Sequence, residues 1–344
     1  PIGAGGSGLG TERTHPEGVR IPRSGPALFN LHELEVMFWD GRVEEDRQGL
    51  VTPAGDAIDA EMEDTLQLGA LAAQAMFPVL SADEMRGSGD DNELSGLDDD
   101  AAVWAGLMAR LGEIDEYVDL FEEAYPEEGF DEMTFAHAAE AIASFEVSAF
   151  ASAGSPWDRF LSGDTAAMTD DQIEGALLFF GPARCVTCHS GAALTDEQFH
   201  NIGLPQIGPG LDGEGQDAGR EEATGDGADR YAFRTPPLRN VALTAPYGHA
   251  GQFVELRDFI GHYSDPERSL AEYDAGQLEP LLQGQVSDSD EVLQRLAPQL
   301  RGIDLREDDI DRLVAFMDAL TDPAASELGG LVPASVPSGL PVTD

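Results

Sequence analysis

The sequence predicts an all-α protein of two domains in which helices are joined by long loops. Apolar residues recur at helical spacing in several segments, whereas alternating, strand-like patterns are few. The chain has 344 residues, which is long enough for two domains of about 100–200 residues each. We place the boundary near residue 155, which gives domains over 1–155 and 156–325 and a Pro-rich, extended tail over 326–344.

Four helices are predicted, over residues 99–112, 133–150, 169–180 and 310–320. The third has the clearest start, because Thr169 and Gln172 have the spacing of a capping box. Its helical spacing is carried by Ile173, Ala176, Leu177 and Phe180. The last helix has one apolar stripe, formed by Ile310, Leu313, Val314, Met317 and Leu320.

Residues 203–230 are rich in glycine and acidic residues and are predicted to be a loop. The stretch lacks the Asp-x-Asp-x-Asp-Gly spacing of an EF-hand calcium site. We therefore favour a solvated loop over a cation site.

The charge is strongly negative, with 19 basic against 66 acidic residues and a net charge of −47. Such a chain repels phosphates, so nucleic acid and anionic membrane are excluded as partners. An acidic, solvated surface of the kind found in salty environments and steering of a cationic partner protein both remain open. The acidic residues are spread along the whole chain, which favours the first.

No run of about 18 apolar residues is present, so no membrane span is predicted. No secretory signal is visible either. Because the chain begins "PIGAGGSGLG" without an initiator Met, we expect it to be processed or truncated.

The two cysteines of the chain, Cys185 and Cys188, are followed at once by His189. A C-x-x-C pair can be a dithiol switch, half of a zinc site or the attachment point of a c-type haem. Zinc needs more ligands, and His200 is the one nearby candidate. A thioredoxin-like motif would need a βαβ context, whereas this pair follows an amphipathic helix.

The adjoining histidine favours covalent haem, with thioethers at Cys185 and Cys188 and His189 as the proximal iron ligand. Such attachment takes place outside the cytoplasm. The protein is therefore predicted to be periplasmic or otherwise exported.

The surrounding residues resemble a known family. "CVTCHSGAALTDEQFHNIGLPQIG" and "YAFRTPPLRNVALTAPYGHAGQF" are similar to the C-terminal haem domain of bacterial dihaem cytochrome c peroxidases and MauG-type enzymes. "RSGPALFN…FWDGR" and "QAMFPVLSADEM" resemble their first-domain patterns. The similarity covers nearly the whole chain and implies two cytochrome-c-like haem domains with their active centres near a shared interface.

The family carries two c-type haems, and this sequence has one attachment motif. The other would lie just upstream of "PIGAGGSGLG". We expect that the sequence in hand starts late, because the pocket residues for the first haem are still present. The alternative is that this protein has lost that haem.

Those pocket residues are Gln74, Pro78 and Glu84. By the resemblance, Glu84 would move a proton between the two peroxide oxygens so that water leaves as the O–O bond breaks, and Gln74 would orient the peroxide. Trp39 matches the tryptophan that the family places between the haems. Asp40 and Arg42 are interpreted as an ion pair that fixes its loop.

The sixth ligand of the second haem divides the family, since the peroxidases use methionine and MauG-type enzymes use tyrosine. The matching residue here is Tyr263, and no methionine occurs between Met168 and Met317. His262 is the rival ligand. A tyrosinate favours ferric and higher oxidation states, so this haem is expected to share oxidising equivalents rather than store an electron.

The resemblance also implies a calcium ion between the haems, held partly by the carbonyl groups of Thr244 and Pro246. Ser24 stands where the family has an asparagine ligand. A hydroxyl is a weaker calcium ligand than an amide oxygen, so the affinity of this site is open.

Other polar residues have simpler interpretations. We expect packing or hydrogen bonds to haem propionates from His200 and His249, and propionate pairing from Arg234 and Arg239. His15 lies about where some peroxidases supply a removable first-haem ligand, although its surroundings depart from their pattern. His32 and His137 are interpreted as surface or core residues.

The function that follows is a periplasmic haem oxidoreductase. It would use hydrogen peroxide to reach a high-valent haem state and oxidise a substrate, such as a redox partner protein, by long-range electron transfer. One alternative is a cytochrome c peroxidase that removes peroxide with electrons from a small cytochrome. The other is a non-enzymatic electron-transfer cytochrome, which applies if the first haem is absent.

Overall fold

A computed structural model gives the fold and describes residues 23–87, 92–208, 210, 216–278, 280, 282–287, 290–340 and 342. The described chain is mostly helical, and its strands are two to four residues long. The prediction of an all-α protein is confirmed in part, since the described chain is mostly helical but also contains short strands. Within these ranges, no helix is both long and apolar enough to cross a bilayer.

The N-terminal half combines five helices with a small antiparallel sheet. The helices are α1 (Ala60–Thr65), α2 (Gly69–Ala75), α3 (Asp100–Gly112), α4 (Asp115–Ala124) and α5 (Phe135–Phe150). The strands, in sheet order, are β1 (Val36–Met37), β2 (Val43–Asp46) and β3 (Gly49–Val51). Helix α2 packs against α5, and their small residues, such as Ala73 and Ala139, let the two backbones approach closely around Trp104 and Met76.

The C-terminal half is built around a second helix pair. Its helices are α6 (Pro156–Leu161), α7 (Asp170–Phe179), α8 (Glu221–Thr224), α9 (Leu256–His262), α10 (Pro266–Ala271), α11 (Asp290–Gln294) and α12 (Glu307–Ala319). Two antiparallel pairs join β4 (Phe199–His200) to β6 (Phe233–Arg234) and β5 (Gln206–Ile207) to β7 (Val286–Ser287). Helices α7 and α12 meet at Gly175, where a Cβ atom would collide with the carbonyl oxygen of Arg312.

The four predicted helices are confirmed as α3, α5, α7 and α12. The capping box is also present, since the Thr169 peptide N–H donates to Gln172 Oε1 at 2.9 Å. The prediction of the apolar face of α7 was partly wrong. Leu177 and Phe180 are 68% and 42% exposed, whereas Phe179 is buried. Four apolar residues in succession, 177–180, leave the helical period ambiguous, and contact with α12 selects the face.

The prediction of a solvated loop over 203–230 was also partly wrong. The segment contains β5 and α8, and Asp217 is buried in an ion pair with Arg23. At the C-terminal end, Leu328–Leu331 form a single exposed 3-10 turn. The domain boundary near residue 155 remains a prediction.

Candidate functional site

A cavity of about 400 Å³ in the C-terminal half has Cys185, Cys188, His189 and Tyr263 in its wall, within the range of about 300–1,000 Å³ typical of small-molecule sites. Most of its other residues are apolar, among them Phe179, Leu204, Phe233, Val241, Phe259, Leu313 and Met317. The two cysteines are not joined in a disulfide. The cavity can therefore receive a large, mainly apolar group that reacts with two thiols.

The cysteines are positioned by a tight turn after α7. Arg184 adopts a left-handed conformation (φ 60°), and Cys185–Thr187 form a single 3-10 turn. The peptide N–H of His189 donates to the Cys185 carbonyl oxygen at 2.9 Å, which closes the turn. This local fold brings the two thiols and the imidazole to the wall of one cavity.

His189 has the environment of a metal ligand. Its Nδ1 atom lies 3.0 Å from the carbonyl oxygen of Leu194, an arrangement in which Nδ1–H donates and Nε2 keeps its lone pair. Burial lowers the pKa of His189 to about 4, so the imidazole is neutral at pH 7. A neutral ring oriented by a backbone carbonyl is the form that coordinates iron.

Tyr263 and His262 have separate environments. His262 is buried outside the cavity wall, with Nδ1 2.9 Å from Ser269 Oγ and Nε2 2.7 Å from the Ile202 carbonyl oxygen. Both of its nitrogens are engaged, which opposes the rival-ligand interpretation. Tyr263 lies in the cavity wall, where burial and the nearby Cys185 and Cys188 raise its pKa.

A second set of donors adjoins Cys188. Its sulfur and one ligand atom each of Asp196 and His200 lie within 4.8 Å of one another. The sequence analysis named His200 but missed Asp196, whose carboxylate is 2.9 Å from His200 Nε2. The contact with Cys188 and the pairing with Asp196 raise the pKa of His200 to about 9. Three such donors suit zinc while the thiol is free.

Haem fits the whole cavity better than zinc does. A zinc ion would use Cys188 alone of the two cysteines and leave the apolar space beside Tyr263 without an occupant. A c-type haem uses both thiols and His189, and its macrocycle suits the apolar wall. The fold and this donor set define a c-type haem protein.

Trp39 and the three residues predicted to bind calcium reach the same cavity, since Trp39, Ser24, Thr244 and Pro246 all lie in its wall. The Trp39 indole N–H donates to the Ser24 carbonyl oxygen at 2.7 Å. Ser24 Oγ is buried and has no hydrogen-bond partner among the residues described. A buried hydroxyl without a partner is consistent with a ligand at this point.

A buried ion cluster joins the Trp39 loop to the C-terminal half. Arg23 lies 2.5 Å from Asp40 and binds Asp217 through two hydrogen bonds of 2.7 Å. Burial alone would raise the pKa values of both carboxyls, but Arg23 holds them below the ordinary value. The predicted pair of Asp40 and Arg42 is present at 3.0 Å, and Arg23 is the stronger partner that the sequence analysis missed.

Gln74, Pro78 and Glu84 lie away from the cavity, in the N-terminal half. Gln74 is on α2, and the chain then turns back so that the Met85 N–H donates to the Pro78 carbonyl oxygen at 3.3 Å. Glu84 is partly buried, and this burial raises its pKa, whereas the charge of Arg42 acts in the opposite direction. Arg42, stacked over the Phe38 ring at 3.6 Å, thus acts on Glu84 and also pairs with Asp40, which follows Trp39.

Of the residues predicted to contact haem propionates, some lie in the cavity wall and others do not. His249 is buried in the cavity wall and stacks on Phe233, with ring centroids 3.6 Å apart. Arg234 is also in the wall, whereas Arg239 pairs with Asp158 at 2.6 Å and lies outside it.

Two further histidines, His32 and His137, lie outside the wall of this cavity. His32 is exposed, and His137 is buried beside Glu128 at 3.1 Å, as interpreted from the sequence. His15 lies outside the described residues.

Comparisons with known proteins show which family the chain belongs to. The family model described as di-haem cytochrome c peroxidase matches residues 4–166. Cytochrome c551 peroxidase of Pseudomonas aeruginosa is 32% identical over 239 residues, which are 70% of this chain and 57% of that protein. The methylamine utilization protein MauG of Methylorubrum extorquens is 31% identical over 247 residues, which are 71% of this chain and 56% of that protein.

A solved structure of a MauG-like protein associated with microbial copper homeostasis superimposes with a TM-score of 0.63. It is 25% identical and covers 91% of this chain and 79% of its own. The chain belongs to the di-haem cytochrome c peroxidase family. It spans a little over half the length of the curated relatives described above.

Proposed function

We propose that the protein is an exported, periplasmic haem oxidoreductase that reduces hydrogen peroxide and oxidises a second substrate by long-range electron transfer. The observation that carries this proposal is the position of Trp39. Its side chain lies in the wall of the cavity with Cys185, Cys188 and His189, while its loop continues through Asp40 and Arg42 toward Glu84. Two cytochrome-c-like domains, over 1–155 and 156–325, would then each hold one haem.

Bound haem supplies the iron at which peroxide is reduced, and in the balanced reaction H2O2 takes up two electrons and two protons to give two water molecules. The chain must supply a group that moves a proton from one peroxide oxygen to the other. Glu84 suits this role because burial raises its pKa, which makes the carboxyl a better proton acceptor than an exposed one. Gln74 would hold the peroxide by hydrogen bonds from its amide, and Pro78 would shape the pocket.

Trp39 would carry oxidising equivalents between the two haem sites. The indole N–H of Trp39 donates to the Ser24 carbonyl oxygen. The backbone carbonyl oxygen of Trp39 accepts a hydrogen bond from the peptide N–H of Arg234 at 2.8 Å. A fixed indole stays at a constant distance from both haem sites. Electron transfer through it would be more efficient than through a mobile aromatic side chain, whose distance to each site would vary.

Tyr263 favours the MauG-type hypothesis over simple peroxide removal. As an anionic oxygen ligand it would stabilise oxidised iron, so the second haem would share oxidising equivalents instead of storing an electron. Burial raises the pKa of Tyr263, so the residue would act as an anionic ligand only where bound iron lowers that pKa and the phenolic proton passes to solvent. The partner would be a redox protein or another substrate that gives up electrons at a distance.

Calcium is proposed between the two haem sites. The support is the buried, unpartnered Ser24 Oγ near Pro246: a Cβ atom at Gly251 would lie 3.1 Å from Ser24 Oγ and 2.9 Å from Pro246 Cγ. Thr244 and Pro246 would contribute carbonyl oxygens, and the hydroxyl would complete a set of oxygen ligands. Removal of calcium with a chelator would then slow peroxide turnover without releasing haem.

The first experiment is a haem count on the native protein by pyridine haemochrome and intact mass, followed by peroxide turnover of Glu84→Gln. Two haems per chain and a large loss of turnover in E84Q support the proposal. The matched control is Glu116→Gln, an exposed acid on α4, which should turn over peroxide as the parent does. One haem per chain, or full turnover in E84Q, contradicts the proposal and favours an electron-transfer cytochrome.

Turnover measurements on the same native protein distinguish the two enzymatic hypotheses. Rapid, sustained peroxide turnover with a reduced small cytochrome as the electron source would favour a cytochrome c peroxidase. Slow turnover with that donor, together with peroxide-dependent oxidation of another protein, would favour the MauG type.

A further inference from the structure

Arg234 is a buried cation that forms no ion pair with a described residue, and the charge of Glu197 acts on it only from beyond ion-pair distance. Its side chain lies in the cavity wall, and the residue is only 2% exposed. Nε donates to the carbonyl oxygen of Phe38 at 3.1 Å, and Nη1 makes a long contact of 3.4 Å with that of Thr235. Over the described part of the chain, no carboxylate oxygen lies within 4.0 Å of this guanidinium.

Arg23 shows how a buried arginine is otherwise paired in this protein. Arg23 and Arg234 are the arginines that are buried within the described ranges, and Arg23 binds two carboxylates. Burial lowers the pKa of Arg234 to about 10, and the side chain still carries its charge at pH 7. A buried charge with no partner costs several kcal/mol. An anion in the cavity next to Arg234 would offset this cost.

We propose that Arg234 binds a carboxylate of the covalently attached haem, one of its two propionates. This inference rests on the haem attachment in the proposed function. A guanidinium presents its N–H groups in a planar fork that matches a carboxylate. Arg239, the other arginine predicted for this role, is excluded because it pairs with Asp158 outside the cavity wall.

Arg234 is also a positioning residue for Trp39. Its peptide N–H donates to the Trp39 carbonyl oxygen at 2.8 Å, and its Nε donates to that of Phe38. Phe38 has a left-handed backbone (φ 65°), which costs energy for a bulky residue and persists only where its surroundings hold it. A propionate that fixes the guanidinium therefore also fixes the loop that carries Trp39.

The test compares Arg234→Gln, Arg234→Lys and the control Arg239→Gln in the haem-loaded protein. Haem content, the midpoint potential of the C-terminal haem and its propionate-bending band in resonance Raman spectra are measured. In R234Q we expect full haem content, a lower midpoint potential because a positive charge is lost, and a shifted propionate band. R234K keeps the charge but loses the fork, so we expect a smaller change in potential and again a shifted band. R239Q should have the parent's midpoint potential and propionate band.

Several results would overturn the inference. An R234Q protein with full haem content and the parent's potential and band would do so, as would equal shifts in R239Q. If R234Q does not fold, an unshifted propionate band in R234K has the same meaning. A free anion as the occupant would make the parent's potential depend on chloride, and that result would also reject a propionate. Absence of haem from the parent chain would instead contradict the proposed function.

Discussion

The Trp39 indole N–H donates to the backbone carbonyl oxygen of Ser24 at 2.7 Å, on the wall of the cavity. Ser24 itself follows Arg23, and its peptide N–H donates to the His249 carbonyl oxygen at 2.7 Å. The Trp39 side chain is thus held by the backbone segment at Arg23 and Ser24, which is itself hydrogen-bonded to the C-terminal half. Replacement of the indole by a phenyl ring would remove this N–H group together with part of the apolar ring.

Trp39→Phe is expected to lower the free energy of unfolding by about 1–3 kcal/mol, because the Ser24 carbonyl oxygen loses its partner. Haem content should be unchanged, while oxidation of the second substrate by peroxide should slow. Urea unfolding and stopped-flow absorbance measure the two effects. The control is Trp157→Phe, which alters an indole stacked on Phe180 outside the cavity wall. Equal slowing in both variants would argue against transfer through Trp39.

The buried Arg23 makes a second prediction about stability. Arg23→Met leaves Asp40 and Asp217 with a buried negative charge each and no shared cation. Breaking such a cluster from one side is expected to cost about 3–5 kcal/mol of unfolding free energy at pH 7. The measurement is equilibrium denaturation in urea.

Arg42→Met is the matched control for Arg23→Met. Arg42 has 30% of its side chain exposed, and its loss leaves Asp40 still paired with Arg23. We expect a clearly smaller loss of stability. If the two variants are equally destabilised, the buried cluster is not what joins the Trp39 loop to the C-terminal half.

Glu84 should make the protein less stable at neutral pH than a neutral residue would. Burial raises its pKa in the folded state, so the folded chain binds the proton more tightly than the unfolded chain does. Stability is then lost as the pH rises from the unfolded-state pKa through the folded-state pKa. Glu84→Gln removes this loss.

We therefore expect E84Q to unfold at a higher urea concentration than the parent at pH 7. The difference should vanish below about pH 4, where the parent carboxyl is protonated in both states. The exposed control, Glu116→Gln, should show no such difference. An E84Q variant that is less stable than the parent at pH 7 would mean that its charge is satisfied by Arg42.

Tyr263→Phe tests the proposal that Tyr263 is the sixth ligand of a haem in the C-terminal half. Loss of an anionic oxygen donor should raise the midpoint potential of this haem and change the absorption spectrum of its ferric form. Tyr273→Phe is the control, because Tyr273 bonds to the Gln252 carbonyl oxygen and lies outside the cavity wall. An unchanged spectrum in Y263F would remove the reason to place this protein with the MauG type.

The sequence alone determined the local features, because these depend on residues close together in the chain. The helices α3, α5, α7 and α12 follow from apolar spacing and caps such as Thr169. The motif at Cys185, Cys188 and His189 indicated covalent haem because all three groups lie within five residues. The family resemblance added Trp39 and Tyr263, which the structure places in the same cavity wall.

The tertiary structure decided what depends on contacts between distant segments. No local pattern pairs Arg23 with Asp217, since the two residues lie 194 positions apart and the glycine-rich surroundings of Asp217 suggested a solvated loop. Arg234 and Arg239 lie in one short motif, "FRTPPLRN", yet Asp158 from α6 pairs with Arg239, whereas Arg234 in the cavity wall has no carboxylate within 4.0 Å among the described residues. Burial and counter-charge are properties of the folded chain, because a side chain loses its water only when other segments close around it.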